Sequence, residues 1–183
     1  SYWAHMLAIS VFLFLIPLSK HMHLVMAVPN VFFHDAGPIA RMRPLATGDD
    51  GKAVPLEDLD IDSFGVSTYN QYSWRQLIDG WSCTSCARCQ DVCPAYASGK
   101  GLNPMQVIHD VRNYANDHAP ILLSGGQPDE TILERITEEA VWACTTCNAC
   151  VDVCPLYIEH VPKLTDLRRN AMMETMEYPE VLN

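Results

Sequence analysis

The sequence predicts a mainly α fold in two parts: one transmembrane helix, then a helical domain organised round two cysteine-rich loops. Three observations predict it. The long apolar stretch is confined to the N-terminus, all 22 acidic residues fall after residue 34, and a C-x2-C-x2-C-x3-C-P motif occurs twice. After Tyr69 the apolar residues recur at helical spacing, and no strand-rich stretch interrupts them.

The first motif runs Cys83-Thr-Ser-Cys86-Ala-Arg-Cys89-Gln-Asp-Val-Cys93-Pro94, and sixty-one residues later it returns as Cys144-Thr-Thr-Cys147-Asn-Ala-Cys150-Val-Asp-Val-Cys154-Pro155. Three thiolates this close together wrap one iron–sulfur cube, while the fourth, turned away before a proline, ligates the other cube. The spacing thus assigns one [4Fe–4S] cluster to Cys83, Cys86, Cys89 and Cys154, and a second to Cys144, Cys147, Cys150 and Cys93. Four-cysteine zinc sites are the rival reading, but they pair two C-x2-C units across a longer spacer. Disulfides are a weaker rival, because two Cys three apart in a tight loop are poorly placed to bridge. The two motifs use every Cys in the chain, and thiols kept free for clusters imply a reducing compartment.

The 183 residues carry a net charge of −10. That charge argues against nucleic acid and against adhesion to an anionic lipid surface. The chain opens on Ser1 inside an apolar run and stops at Asn183 without a terminal signal. It reads as an internal piece of a longer polypeptide or complex.

Residues 1–33 form the expected membrane segment. From Ala4 to Val28 the sequence is apolar, interrupted by Ser10, Pro17, Ser19, Lys20 and three His. Twenty-five helical residues reach about 37 Å, enough to cross a hydrocarbon core of about 30 Å with some tilt. A signal peptide is the alternative, but no basic region precedes the apolar run and no small-residue cleavage site follows it. Pro17 is expected to kink the helix and Pro29 to end it. Lys20, Arg41 and Arg43 lie toward the downstream domain; the positive-inside rule puts that side in the cytoplasm.

His5 and His23 are eighteen residues apart, about five turns of a continuous helix, so they would share one face about 27 Å apart. Imidazoles at both ends of one span suit two stacked b-type haems. Spacing alone fits interfacial histidines equally well. The stretch from His5 to Pro17-Leu-Ser-Lys-His-Met-His23 resembles the last helix of the cytochrome b subunit of respiratory nitrate reductase and its relatives in membrane-bound heterodisulfide reductases. The resemblance implies that His5 and His23 each ligate a different haem b, with partner histidines from a helix absent from this sequence. His21 is the alternative to His23, turned by about 200° from the shared face.

Residues 34–68 read as a solvated linker, rich in Pro, Gly and Asp and carrying the acidic run Leu56-Glu-Asp-Leu-Asp-Ile-Asp62. The domain expected over 69–183 begins with Ser73-Trp-Arg-Gln76, an S-x-x-Q capping box that starts a short helix into Cys83. Asn103-Pro104 marks an N-cap with Pro at the first helical position, followed by Met105, Val107, Ile108, Val111, Tyr114 and Ala115 on the apolar side. Gly125-Gly126 breaks the chain, a third helix is expected from about Glu130 to Ala143, and a fourth begins at Pro162 with Leu164, Leu167, Ala171 and Met172 inward. The repeat extends past the ligands: Trp81 and Trp142 precede the first Cys of each motif, and Tyr96 and Tyr157 follow the last. These aromatics read as core that keeps water from the clusters. His109, His118 and His160 have no partner at ligand spacing and read as structural or surface residues.

The domain resembles the alpha-helical ferredoxin domain of the heterodisulfide reductase small subunit and of the anaerobic glycerol-3-phosphate dehydrogenase iron–sulfur subunit, and all eight Cys positions match. With the N-terminal helix, the whole resembles the fused membrane iron–sulfur oxidoreductases related to heterodisulfide reductase. That resemblance implies electron transfer between a soluble donor, such as electron-transfer flavoprotein, and menaquinone in the cell membrane. Members of the group continue into cysteine-rich CCG domains, and no cysteine follows Cys154 here. Two other readings stay open: a disulfide- or hydroxy-acid-linked oxidoreductase subunit, and a redox-sensing module without turnover.

Overall fold

The computed structural model describes residues 1–19, 21–39, 42, 44–45, 54–58 and 64–176. Among these residues every regular element is helical. Most of the acidic run at 56–62 lies outside the described residues, apart from a single 3₁₀ turn, Leu56–Asp58.

The expected single membrane helix is two helices. α1 covers Tyr2–Leu15, a 3₁₀ turn follows at Ile16–Leu18, and α2 covers Met22–Phe32. The two are bent by 63° at the break. The break falls at Ser19, whose backbone is extended at φ −126° and ψ 179°, two residues after Pro17, which has no N–H to continue the ladder. No single described helix is long and apolar enough to cross a membrane, although the bent pair passes by length and composition. α1 alone reaches only about 21 Å. His5 on α1 and His23 on α2 therefore do not share the face of one continuous helix, which corrects the geometric premise for pairing them. Pro29 does not end α2; it sits inside it, and the helix closes at Phe33.

α1 buries none of its residues, and Trp3, Leu7, Phe12 and Phe14 are all exposed. α2, by contrast, docks on the cysteine-rich domain, against α3 (Trp74–Ser82). Ser82 Oγ donates to the Met26 carbonyl at 2.9 Å, Arg75 donates to the Phe33 carbonyl, and the Phe33 and Trp74 rings meet edge to face at 5.5 Å. Asn30, 1% exposed, donates to Asp79 Oδ1 at 3.1 Å and to the Leu156 carbonyl at 2.9 Å.

α3 starts at the expected capping box: Ser73 Oγ accepts from Gln76 N at 3.3 Å, and Gln76 Oε1 accepts from Ser73 N at 3.0 Å. Short helices α4 (Arg88–Asp91) and α5 (Pro94–Ala97) carry the first motif. α6 (Pro104–Asp117) is the spine of the domain and packs on α3, α4 and elements of the second half. Asn103 caps it as expected, its Oδ1 accepting from the Met105 and Gln106 amides at 3.0 and 3.3 Å. Val107, Ile108, Val111, Tyr114 and Ala115 are buried along one stripe, each large aliphatic contributing about 1.5–3 kcal/mol.

After α7 (Ala119–Leu123), the expected third helix is broken in two: α8 (Ile132–Ile136) and α9 (Glu138–Ala143). Thr137 stands between them at φ 71°, a left-handed conformation costly for a β-branched residue, and its side chain caps α9 through Ala140 N at 3.4 Å. α10 (Ala149–Asp152) repeats α4, and α11 (His160–Asn170) starts two residues before Pro162. A π-helical turn closes the described chain at Ala171–Thr175; Ala171 is buried, whereas Met172 is exposed rather than inward.

The last stretch of the connector is part of this core. Val66 is buried, its N–H donates to the Asp166 carbonyl at 3.0 Å, and the Ser67 carbonyl accepts from Ile132 N at 3.2 Å. Gly65, at φ +72°, lets the chain pass so close to α11 that a Cβ there would lie 2.2 Å from the Asp166 carbonyl oxygen.

Candidate functional site

The two motifs fold alike. α3 and α9 deliver Cys83 and Cys144 at their C-caps, and the loops then place two residues in the left-handed region: Ser85 and Ala87 in the first motif, Thr146 and Asn148 in the second. None is Gly, so each stores about 1–2 kcal/mol of strain. The same turns recur in both motifs, and each gathers three thiols round one recess. Thr146 N points at Cys144 Sγ at 3.4 Å. The third Cys of each motif, Cys89 or Cys150, is buried on its short helix, and the two pack together with Val161.

Two recesses result. One is lined by Cys83, Cys86, Cys89 and Cys154, with Met105, Leu156 and Ile158 as apolar walls. The other is lined by Cys144, Cys147, Cys150 and Cys93, with Leu102, Val161 and Leu164. Each gathers three thiols from one motif and the last thiol of the other. A single zinc ion needs sulfurs at about 2.3 Å; no group of three or more His, Cys, Asp or Glu that could hold one ion is found among the described residues.

The electrostatics fit a cationic metal core. Burial pushes the Cys89 thiol up to about 12, helped by Cys83, Cys154 and Cys86. Burial likewise raises Cys150 to about 12, with Cys144, Cys89, Cys93 and Cys147 adding to it. Cys83, Cys144 and Cys154 are also raised, chiefly by burial. Thiolates crowded in low dielectric need positive charge to stay ionised, and ligated iron supplies it.

Polar residues outside the motifs hold the loops. Asp79, fully buried, accepts from Asn30, from Glu159 N at 3.2 Å and from Lys163 Nζ, tying α2, α3 and α11 behind the first recess. Arg168 caps α9: its guanidinium donates to the Val141 carbonyl at 2.7 and 3.0 Å and to the Cys144 carbonyl, and lies 5.4 Å over the Trp142 ring. Tyr96 and Tyr157 are exposed, not core, and the Tyr157 ring stacks on His34 at 4.2 Å. His118 is structural, 2.8 Å from Glu130, and His160 is buried beside the first recess. His109 has a role that spacing did not reveal: its Nε2 stands 3.8 Å from Cys83 Sγ and 3.0 Å from Ser85 Oγ.

The two haem candidates are separated. His5 is exposed on α1. His23 lines a cavity of about 710 Å³ together with His21, Pro17, Leu18, Met22, Trp81, Cys83 and Arg112. The His21 and His23 rings stack at 6.4 Å, and His21 Nδ1 is 3.2 Å from Ser19 Oγ.

Residues 75–155 match the 4Fe–4S dicluster domain. The chain is 31% identical over 201 residues to the EtfAB:quinone oxidoreductase of Syntrophomonas wolfei, covering 97% of this chain and 27% of that protein. It is 34% identical over 148 residues to a probable membrane-anchored ferredoxin of Chromohalobacter salexigens, covering 69% of this chain and 22% of that protein. Over 105 residues it is 32% identical to one of the subunits of the ferredoxin:CoB-CoM heterodisulfide reductase of Methanosarcina mazei, covering 56% of this chain and 53% of that relative. No solved structure matches. The chain spans about a quarter of the length of the first two relatives. It carries a 4Fe–4S dicluster domain and is related to iron–sulfur oxidoreductases and their subunits.

Proposed function

We propose that this chain is the electron-carrying arm of a membrane iron–sulfur oxidoreductase, working between a soluble donor and menaquinone. Electron-transfer flavoprotein is the first candidate for the donor, because the quinone oxidoreductase of S. wolfei is named for it. When bound, the clusters and a b-type haem at His23 supply one-electron chemistry. The cluster domain faces the cytoplasm, where thiols stay reduced.

The observation that carries this reading is the pair of recesses, each lined by four thiols. Cys83, Cys86, Cys89 and Cys154 hold the first cluster, and Cys144, Cys147, Cys150 and Cys93 hold the second. Leu102, Ile158, Val161 and Leu164 are buried and line the recesses, while Cys86 and Cys147 are exposed. A second haem at His5 rests on the resemblance alone, because the bend between α1 and α2 removes the shared helix face.

A redox-poised optical and EPR titration of the full membrane complex tests the reading. Two [4Fe–4S] signals and b-type absorbance are expected; fewer than two cluster signals overturns the cluster assignment. Cys93→Ser is expected to damage mainly the cluster of the second motif, and damage to the first alone overturns the crossed arrangement. The similarity to the heterodisulfide reductase of M. mazei favours a second reading, in which the same clusters serve a disulfide substrate. Disulfide-dependent reoxidation of the reduced clusters without quinone would select it.

A further inference from the structure

The cavity beside Cys83 has three features. Its size, about 710 Å³, lies within the roughly 300–1,000 Å³ of cofactor and ligand pockets. One part of its lining is apolar, with Pro17 and Leu18 at the bend, Met22 at the start of α2 and Trp81 on α3. The polar part of the lining includes Ser19, Thr84 and Ser85 and, from α6, Arg112, Asn113 and Asn116, and no hydrogen bond or ion pair of these three α6 side chains is seen among the described residues.

Arg112 is the unusual member. It is half-buried, no carboxylate among the described residues pairs with it, and its charge acts on the neighbouring Cys83 thiol and His109 ring. The root of its side chain is held close to α3, because a Cβ at Gly80 would lie 3.1 Å from the Arg112 Cβ. A half-buried guanidinium beside two amides suits an anion, and a carboxylate matches its planar fork.

We propose that the cavity binds a planar apolar ligand bearing carboxylates, a haem, with Arg112, Asn113 and Asn116 holding its propionates. This rests on the assignment of His23 to haem above, and it adds that the cysteine-rich domain supplies half of the haem site. The haem is then shared between the bent N-terminal pair and α6, directly beside a ligand of the first cluster.

The test compares the full membrane complex carrying Arg112→Leu, Arg112→Lys, Asn116→Asp or His23→Leu with wild type, reading haem per protein, haem midpoint potential and cluster EPR signals. Arg112→Leu is expected to lose the share of b-type absorbance that His23→Leu loses, or to lower its midpoint potential, while Arg112→Lys restores most of it. Asn116 is exposed, so Asn116→Asp leaves folding intact; its added negative charge is expected to lower haem retention several-fold or lower the potential. Intact cluster signals certify the fold of each variant. If His23→Leu removes haem while Arg112→Leu and Asn116→Asp leave content and potential unchanged, the proposal is wrong and the His23 assignment stands. If wild type shows both clusters and no b-type absorbance, both haem statements fall and the cluster reading survives.

Discussion

His109 Nε2 lies 3.8 Å from the sulfur of Cys83 and 3.0 Å from Ser85 Oγ. Both first cysteines also accept from a backbone amide two residues on, Ser85 at Cys83 and Thr146 at Cys144 (3.4 Å), so the His109 ring is an addition at Cys83. The repeat is thus asymmetric at its first cysteines. Hydrogen bonds to cluster sulfurs raise reduction potential by stabilising the reduced, more negative state.

His109→Leu is therefore expected to lower the midpoint potential of the cluster on Cys83, Cys86, Cys89 and Cys154 and leave the other unchanged. An EPR-monitored titration reads both. Equal shifts in the two clusters, or none, would remove His109 from this role.

The buried pair Lys163–Asp79 predicts a stability result. Lys163→Met strands the Asp79 carboxylate at 0% exposure and is expected to cost about 3–5 kcal/mol. Asp79→Leu with Lys163→Met should recover much of that loss, because no charge is left unpaired. Denaturant unfolding of the two variants measures the difference.

A pH dependence follows from His160. Burial, reinforced by the Lys163 charge, lowers its pKa to about 4 from an ordinary 6.5. Between those values the unfolded chain binds a proton that the folded chain does not. The stabilisation is thus complete above about pH 6.5 and is lost as the pH falls toward 4, by up to about 3 kcal/mol. His160→Leu should flatten this part of the stability profile, read as unfolding midpoints across pH 4.5–7.

Gly65→Ala is expected to destabilise by about 2 kcal/mol or more, combining a left-handed backbone with an overpacked contact. The added Cβ would meet the Asp166 carbonyl at 2.2 Å and Asn170 N at 2.5 Å. Loss of thermal stability with unchanged cluster spectra is the expected signature.

What the sequence made legible was local. Ser73 and Gln76, or Asn103 and Pro104, announce helix starts because a cap is written within four residues. The paired motifs announce thiol loops for the same reason. Relations across long stretches of chain were not legible: Asn30 reaches Asp79 forty-nine residues on, and no period or motif connects them. His109 looked idle because its partner Cys83 lies twenty-six residues earlier. The break at Thr137 was hidden by an apolar pattern that runs through Ile136 and Ala140 as if one helix held both. The bend after Pro17 was expected as a kink, but not as a 63° turn that separates His5 from His23.

The interleaving of the two motifs bears on how the protein is made. Cys93 stands with the second set of thiols and Cys154 with the first. A nascent chain that has emerged only as far as Gly126 can close neither ring. With the proposed crossed ligation, a chain cut between the motifs is expected to lose both centres together rather than keep a working half.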